Sequence, residues 1–200
     1  MEFLVLASNP GITFLSPVIG KLENLVRLDI SSMNLKNLPR EIGKLLALQM
    51  LDVSSNQCVA LPPEIGNLKN LKYLYLRDNK LSLLPPEIGE LSSLEDLILN
   101  NNSLQEIPPE LGNLSQLSLL DLRHNKLITL PPTFKDLSSL KVLYLNSNPI
   151  ENLPLSLTNL PNLEVFSLSR CHLKKCPPEM RKFIKELKIR GRFFSDVNLL

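Results

Sequence analysis

Residues 71–93 read LKYLYLRDNKLSLLPPEIGELSS, and their spacing decides the fold. Leu74 and Leu76 alternate with Tyr73 and Tyr75, a period of two that sets the leucines on one face of a short strand and the tyrosines on the other. After Asn79 the chain turns. Pro85, Pro86 and Glu87 then suit a brief helical or 3-10 turn, because proline tolerates a first helical position and a carboxylate favours the positive end of a helix. Gly89 supplies a residue without Cβ for a tight bend or a close backbone approach. A unit this short cannot bury its leucines alone, so it needs similar units stacked on it.

Those units are present. The motif L-x-x-L-x-L-x-x-N-x-L starts at Leu25, Leu48, Leu71, Leu94, Leu117, Leu140 and Leu163, a period of 23 residues kept over six steps. Gly20, Gly43, Gly66, Gly89 and Gly112 recur at one place in it, and Asn9, Asn56, Asn79, Asn102, Asn125 and Asn148 at another. A turn at each stack level would leave inward backbone groups unpaired, at about 1–3 kcal/mol for each buried group, so a recurring polar side chain there has a physical purpose. Met33 and Cys171 interrupt the asparagine series and predict two less regular levels.

The array closely resembles the leucine-rich repeat family over residues 1 to 190. The resemblance implies an α/β solenoid, a horseshoe with a parallel concave sheet and short 3-10 or helical segments on the convex side. It also implies that the asparagines form a ladder between neighbouring turns. The expected domain is 1–192, with about eight to nine units, followed by a tail or cap at 193–200. The turns LPPEIG (61–66 and 84–89) and IPPELG (107–112) are similar to those of intracellular leucine-rich-repeat proteins related to Ras signalling: Ras-pathway scaffolds, Ras suppressors, plant Ras-group relatives and polarity scaffolds. That resemblance implies a binding scaffold whose partners include small GTPases, kinases or phosphatases.

Composition narrows the function further. Leucine makes up 47 of the 200 residues, yet no stretch reaches the roughly 18 consecutive apolar residues of a membrane helix. A net charge of +2 argues against a nucleic-acid binder, and 44% hydrophobic residues argue against a disordered chain. The opening MEFLVLASNPG has no basic segment before its apolar residues, and its hydrophobic run is short for a secretory signal. Cys58, Cys171 and Cys176 are odd in number and unlike a disulfide framework. A cytoplasmic, reducing location is therefore expected.

Catalysis is not expected. His124 and His172 are the only histidines, and no H-E-x-x-H, C-x-x-C, G-x-S-x-G or phosphate-binding glycine loop is present. The three cysteines occupy leucine or asparagine positions of the motif and read as core filling. No metal or cofactor is called for. Two N-x-S triplets, Asn101-Asn102-Ser103 and Asn113-Leu114-Ser115, fall inside the repeat consensus and read as incidental.

Binding on the concave sheet is the remaining expectation. About nine strands at roughly 4.8 Å would make a face about 40 Å long. Its central outward positions are Val5, Asp29, Asp52, Tyr75, Ile98, Asp121, Tyr144, Ser167 and Lys188. Tyr73, Tyr75, Arg77, Ile98, Asp121, Arg123, His124 and Tyr144 are the candidate contact residues, since tyrosine and arginine combine large area with a polar handle. The competing reading is ordinary strand surface, which favours tyrosine regardless of partners. Asp29, Asp52 and Asp121 make part of the face acidic. The expected function is a non-catalytic protein-interaction scaffold. The alternatives are a regulatory subunit for a phosphatase or small GTPase, and extracellular ligand recognition.

The ends depart from the pattern. Met1, Leu4, Leu6 and Asn9 already form a motif, so an exposed stack end is expected, self-capped, covered by a partner, or belonging to a shortened form. Ile184, Leu187 and Ile189 read as a last strand motif, with Phe193 and Phe194 closing the core. Lys174 to Arg192 carries eight basic residues against Glu179 and Glu186, which suits a solvated capping edge, an acidic partner or peripheral contact with an anionic membrane.

Overall fold

The computed structural model describes residues 1–189 and the backbone of residues 193–194. Among the described residues nine short strands form one sheet in sequence order: β1 (Phe3–Val5), β2 (Arg27–Asp29), β3 (Met50–Asp52), β4 (Tyr73–Tyr75), β5 (Asp96–Ile98), β6 (Leu119–Asp121), β7 (Val142–Tyr144), β8 (Val165–Ser167) and β9 (Phe193–Phe194). Every neighbouring pair is parallel, and the central leucines of β1 to β7 fall in one register column that continues through Phe166 of β8 to Phe193 of β9. The return legs among the described residues include seven 3-10 turns, from Pro17–Lys21 to Leu155–Asn159. At Pro63–Asn67 and Pro86–Glu90 the first proline of each pair is the extended cap and the second opens the turn, with Glu64 or Glu87 in its first turn. Sheet and turns enclose one leucine core, in which Leu74, Leu76, Ile88 and Leu91 are wholly buried.

The asparagine ladder is observed in detail. Asn102 Oδ1 accepts the Leu81 N–H at 3.0 Å, while its Nδ2 donates to the carbonyls of Leu76 and Leu99 at 2.9 and 3.0 Å. Asn56, Asn79, Asn125 and Asn148 repeat this arrangement, each tying its own turn to the previous level. Asn9 differs, since its amide donates to Leu6 and Ala7 of its own turn. At the two interrupted levels other groups serve: the Ile12 N–H bonds to the Asn9 carbonyl, and Cys171 Sγ donates to the Leu145 carbonyl at 3.5 Å. The residue before each ladder position, from Ser8 through Ser55 and His124 to Arg170, has positive φ, which sharpens the corner leaving the strand.

One expected element is different. Ile184, Leu187 and Ile189 do not form a strand; they lie in a helix, α1 (Pro178–Ile189), with Met180, Ile184 and Leu187 buried. Spacings of three and four residues fit a helical stripe as well as an L-x-x-L motif, and Met180 extends the helical one. Lys188 is therefore an exposed helical residue and not a member of the concave row. The backbone of Phe193–Phe194 pairs with β8. Whether their side chains close the core lies outside the described residues, as does the remainder, 195–200, of the tail or cap expected at 193–200. Phe183 of α1 packs against Phe166 with the rings tilted at 51° and their centroids 6.5 Å apart, and joins the helix to the core.

Candidate functional site: the concave sheet face

Sheet register converts the sequence alternation into rows. Val5, Asp29, Asp52, Tyr75, Ile98, Asp121, Tyr144 and Ser167 lie side by side across eight strands, and Phe3, Arg27, Met50, Tyr73, Asp96, Leu119, Val142 and Val165 form the parallel row. Beyond the first row, at the strand ends, come Arg77 and Arg123. Five of the eight candidate contact residues, Tyr73, Tyr75, Ile98, Asp121 and Tyr144, thus stand in two rows, and the two arginines flank them.

Two clusters result. In the first, the Arg123 guanidinium grips Asp121 with both edges, Nε to Oδ1 at 2.9 Å and Nη2 to Oδ2 at 2.6 Å. Its carbon sits 4.9 Å from the centre of the Tyr144 ring, a cation–π distance. The hydrogen bonds it donates to Asp121 push the guanidinium pKa further up, so its charge is fixed. A side chain held this way loses less freedom when a partner binds. Asp121 itself is only 4% exposed on its side chain, which corrects its reading as acidic surface. Period two gives the direction of a side chain but not its depth. Asp121 Oδ1 also accepts the Arg123 N–H, as Asp29 does for Ser31 and Asp52 for Ser54. These carboxylates shape their own turns and present less free acid than the sequence suggests.

In the second cluster, Tyr75 and Arg77 border a depression of about 360 Å³ whose floor includes Ser31, Ser54, Ser55 and Ile98. The serines went unread in the sequence, although the pairs Ser31-Ser32 and Ser54-Ser55 recur one repeat apart. Burial, then the charge of Asp96, pushes the Tyr75 phenol above its usual value, so its hydroxyl is a hydrogen-bond donor at neutral pH. Arg77 is exposed and contacts Asp78 at 3.3 Å. Tyr73 lies across Leu74 from Tyr75 and approaches Glu95 at 3.5 Å, where Lys72 also pairs at 3.1 Å. Ile98 stands between the clusters in the central row. Three strand spacings separate Tyr75 from Tyr144, about 14 Å.

His124 stands apart from both. It is exposed at a positive-φ corner outside β6, so it borders the sheet face without joining the Arg123–Tyr144 pair. Among the described residues no group of three or more His, Cys, Asp or Glu side chains converges to hold a metal ion. Burial pushes the Cys58 thiol up to about 11, which keeps it protonated and inert at neutral pH. The first level of the stack exposes Phe3, Val5, Phe14 and Val18.

Similarity to known proteins agrees with the repeat reading. A leucine-rich repeat region model matches residues 13–102, and a second leucine-rich repeat model matches residues 92–150. No curated protein matches the chain. Among solved structures, a leucine-rich repeat protein of Leptospira interrogans is 29% identical, with a TM-score of 0.53, over 96% of this chain and 60% of its own. A plant peptide hormone receptor in complex with its peptide RGF2 is 34% identical, with a TM-score of 0.78, over 86% of this chain and 28% of its own. The leucine-rich repeat ectodomain of an Arabidopsis thaliana membrane receptor kinase, in complex with Casparian strip integrity factor 2, is 27% identical, with a TM-score of 0.74, over 98% of this chain and 26% of its own. The chain therefore spans 60% or less of the length of each of these proteins. Matches of both kinds support the leucine-rich repeat family, whose members are generally non-catalytic interaction modules. They do not support the expected cytoplasmic location, because receptor ectodomains are among the neighbours. Among the described residues, no helix is long and apolar enough to cross a membrane.

Proposed function

We propose, starting from a leucine-rich repeat solenoid, that this chain is a protein-interaction scaffold that holds a partner against its concave sheet. The observation that carries this reading is the Asp121–Arg123–Tyr144 arrangement. A buried carboxylate holds an arginine over a tyrosine ring on an open face, where neither aromatic nor charge is needed for the core. Tyr75 and Arg77, about 14 Å away along the same face, provide a second anchor beside a serine-lined hollow. A partner touching both must be a folded surface or an extended peptide, and its charge must be mixed, since arginine, lysine and acid alternate along the face.

The resemblance of the turn sequences to those of Ras-related scaffolds favours an intracellular signalling partner such as a small GTPase, kinase or phosphatase. Orienting such an enzyme would make the chain a regulatory subunit. A second reading has its own support: two of the similar structures are plant receptors in complex with their ligands, which favours recognition of a peptide outside the cell.

The test is affinity capture with wild type and with Tyr75→Ala/Arg77→Ala. Both side chains are partly exposed, so the pair should lower partner recovery at least ten-fold while leaving the unfolding midpoint nearly unchanged. Lys69→Ala, off the sheet, should leave recovery intact. Equal recovery by wild type and the double variant would overturn the proposal. Arg123→Ala is a poorer probe. It strips a buried carboxylate of its charged partner and should cost stability, about 1–3 kcal/mol, along with binding.

A further inference from the structure

We propose that the outer face of α1 docks on an anionic membrane surface, independently of what the concave sheet holds. Met180, Ile184 and Leu187 fix the inner face of the helix in the core. Helical spacing then centres Lys182, Lys185 and Ile189 on the opposite face, all three exposed, with Arg181 beside them and Glu179 and Glu186 on one flank. Lys174 and Lys175 extend the basic surface through the preceding loop, although Lys174 is paired with Glu151 at 2.7 Å.

Charge segregation is marked across the whole chain. Residues 174–192 carry a formal charge of +6 while the complete chain carries +2, leaving the rest at −4. The rest of the chain, net negative, is on balance repelled by an anionic surface, which favours an orientation with this end toward it. Since α1 covers the last turn of the array, docking there leaves the concave face open.

What favours a lipid surface over a soluble acidic partner is Ile189. At 77% it is the most exposed of the large apolar side chains among the described residues, and it sits among lysines on the outward face. Basic residues around an apolar side chain that points to solvent is the arrangement of helices that lie in the headgroup region: lysine ends meet lipid phosphates while the apolar group enters the acyl boundary. A soluble polyanion would use the lysines but gain nothing from the isoleucine.

The experiment is flotation of the complete chain with vesicles of phosphatidylcholine alone and of phosphatidylcholine with phosphatidylserine, across a salt titration. Binding is expected only to the phosphatidylserine vesicles and should weaken steeply with salt. Lys182→Gln/Lys185→Gln should weaken it about twenty-five-fold, at about five-fold for each lysine near the surface. Ile189→Ser should also weaken it at unchanged charge. All three positions are exposed, and retained far-ultraviolet dichroism checks the fold; if the double variant unfolds, Ile189→Ser and the wild-type salt titration still decide. Equal binding to both vesicle types, or no loss in either variant, would overturn the proposal. So would a polyglutamate peptide that binds wild type and Ile189→Ser equally well and displaces the vesicles, since the site would then be one for a soluble acidic partner.

Discussion

Asn102 shows how far one side chain reaches in this molecule. Its amide closes an N–H and two carbonyls that belong to two stack levels, all away from water. Asn102→Ala should therefore cost on the order of 3 kcal/mol, read as a lower urea midpoint at an unchanged slope. Asp96 makes the opposite case. Burial first, then the neighbouring charge of Glu95, raises its carboxyl above the usual range. Between the unfolded value and that raised value the folded chain holds more protons, so stability falls as pH rises through this window, and the penalty is complete above it. Asp96→Asn should thus be more stable than wild type at neutral pH, with the difference vanishing near about pH 3, where both forms are protonated. A neutral-pH midpoint for Asp96→Asn below that of wild type would contradict this. Asparagine at a fixed motif position announces its role in the sequence, whereas the depth of Asp121 does not. Its carboxylate is buried because Arg123 two residues later folds back over it, and alternation alone carries no sign of that.

At the scale of elements, the 3-10 turns are packed more tightly than the strands require. A Cβ on Gly66 would meet the Glu87 carbonyl oxygen at 2.7 Å, and one on Gly89 would meet the Glu110 backbone more closely still. These glycines are needed for approach between successive turns, one of the two purposes their recurrence suggests. Gly89→Ala, in the middle of the array, should cost about 1–3 kcal/mol in a chemical unfolding curve. A neutral effect would mean that the turns can spread without loss. Strand and turn were legible because each recurs with its own pattern, period two before the asparagine and Pro-Pro-Glu after the leucine. The helix α1 was hidden for a related reason. Its buried residues keep a spacing that the strand motif also allows, and Pro177-Pro178-Glu179 repeats the turn opening of earlier units, so the missing ladder asparagine and the 21-residue step from Leu163 to Ile184 are what distinguish it.

For the whole molecule, stacking makes the fold legible and the function only partly so. A 23-residue period fixes which residues share a row, because parallel in-register strands repeat the same position at each level. It does not fix which members of a row are engaged with each other. The pairing of Arg123 with Asp121 and Tyr144, and the serine hollow beside Tyr75, come from side-chain packing between levels. The central claim is that a partner lies against the concave face, and photocrosslinking tests it most directly. A photoreactive phenylalanine derivative is placed at Tyr75 in one chain and at Ser115, on the opposite side beyond the Pro109–Asn113 turn, in another. With a captured partner present, the account predicts a crosslinked product from position 75 and none from position 115. A product from position 115 alone would contradict it and move the binding surface to the convex side.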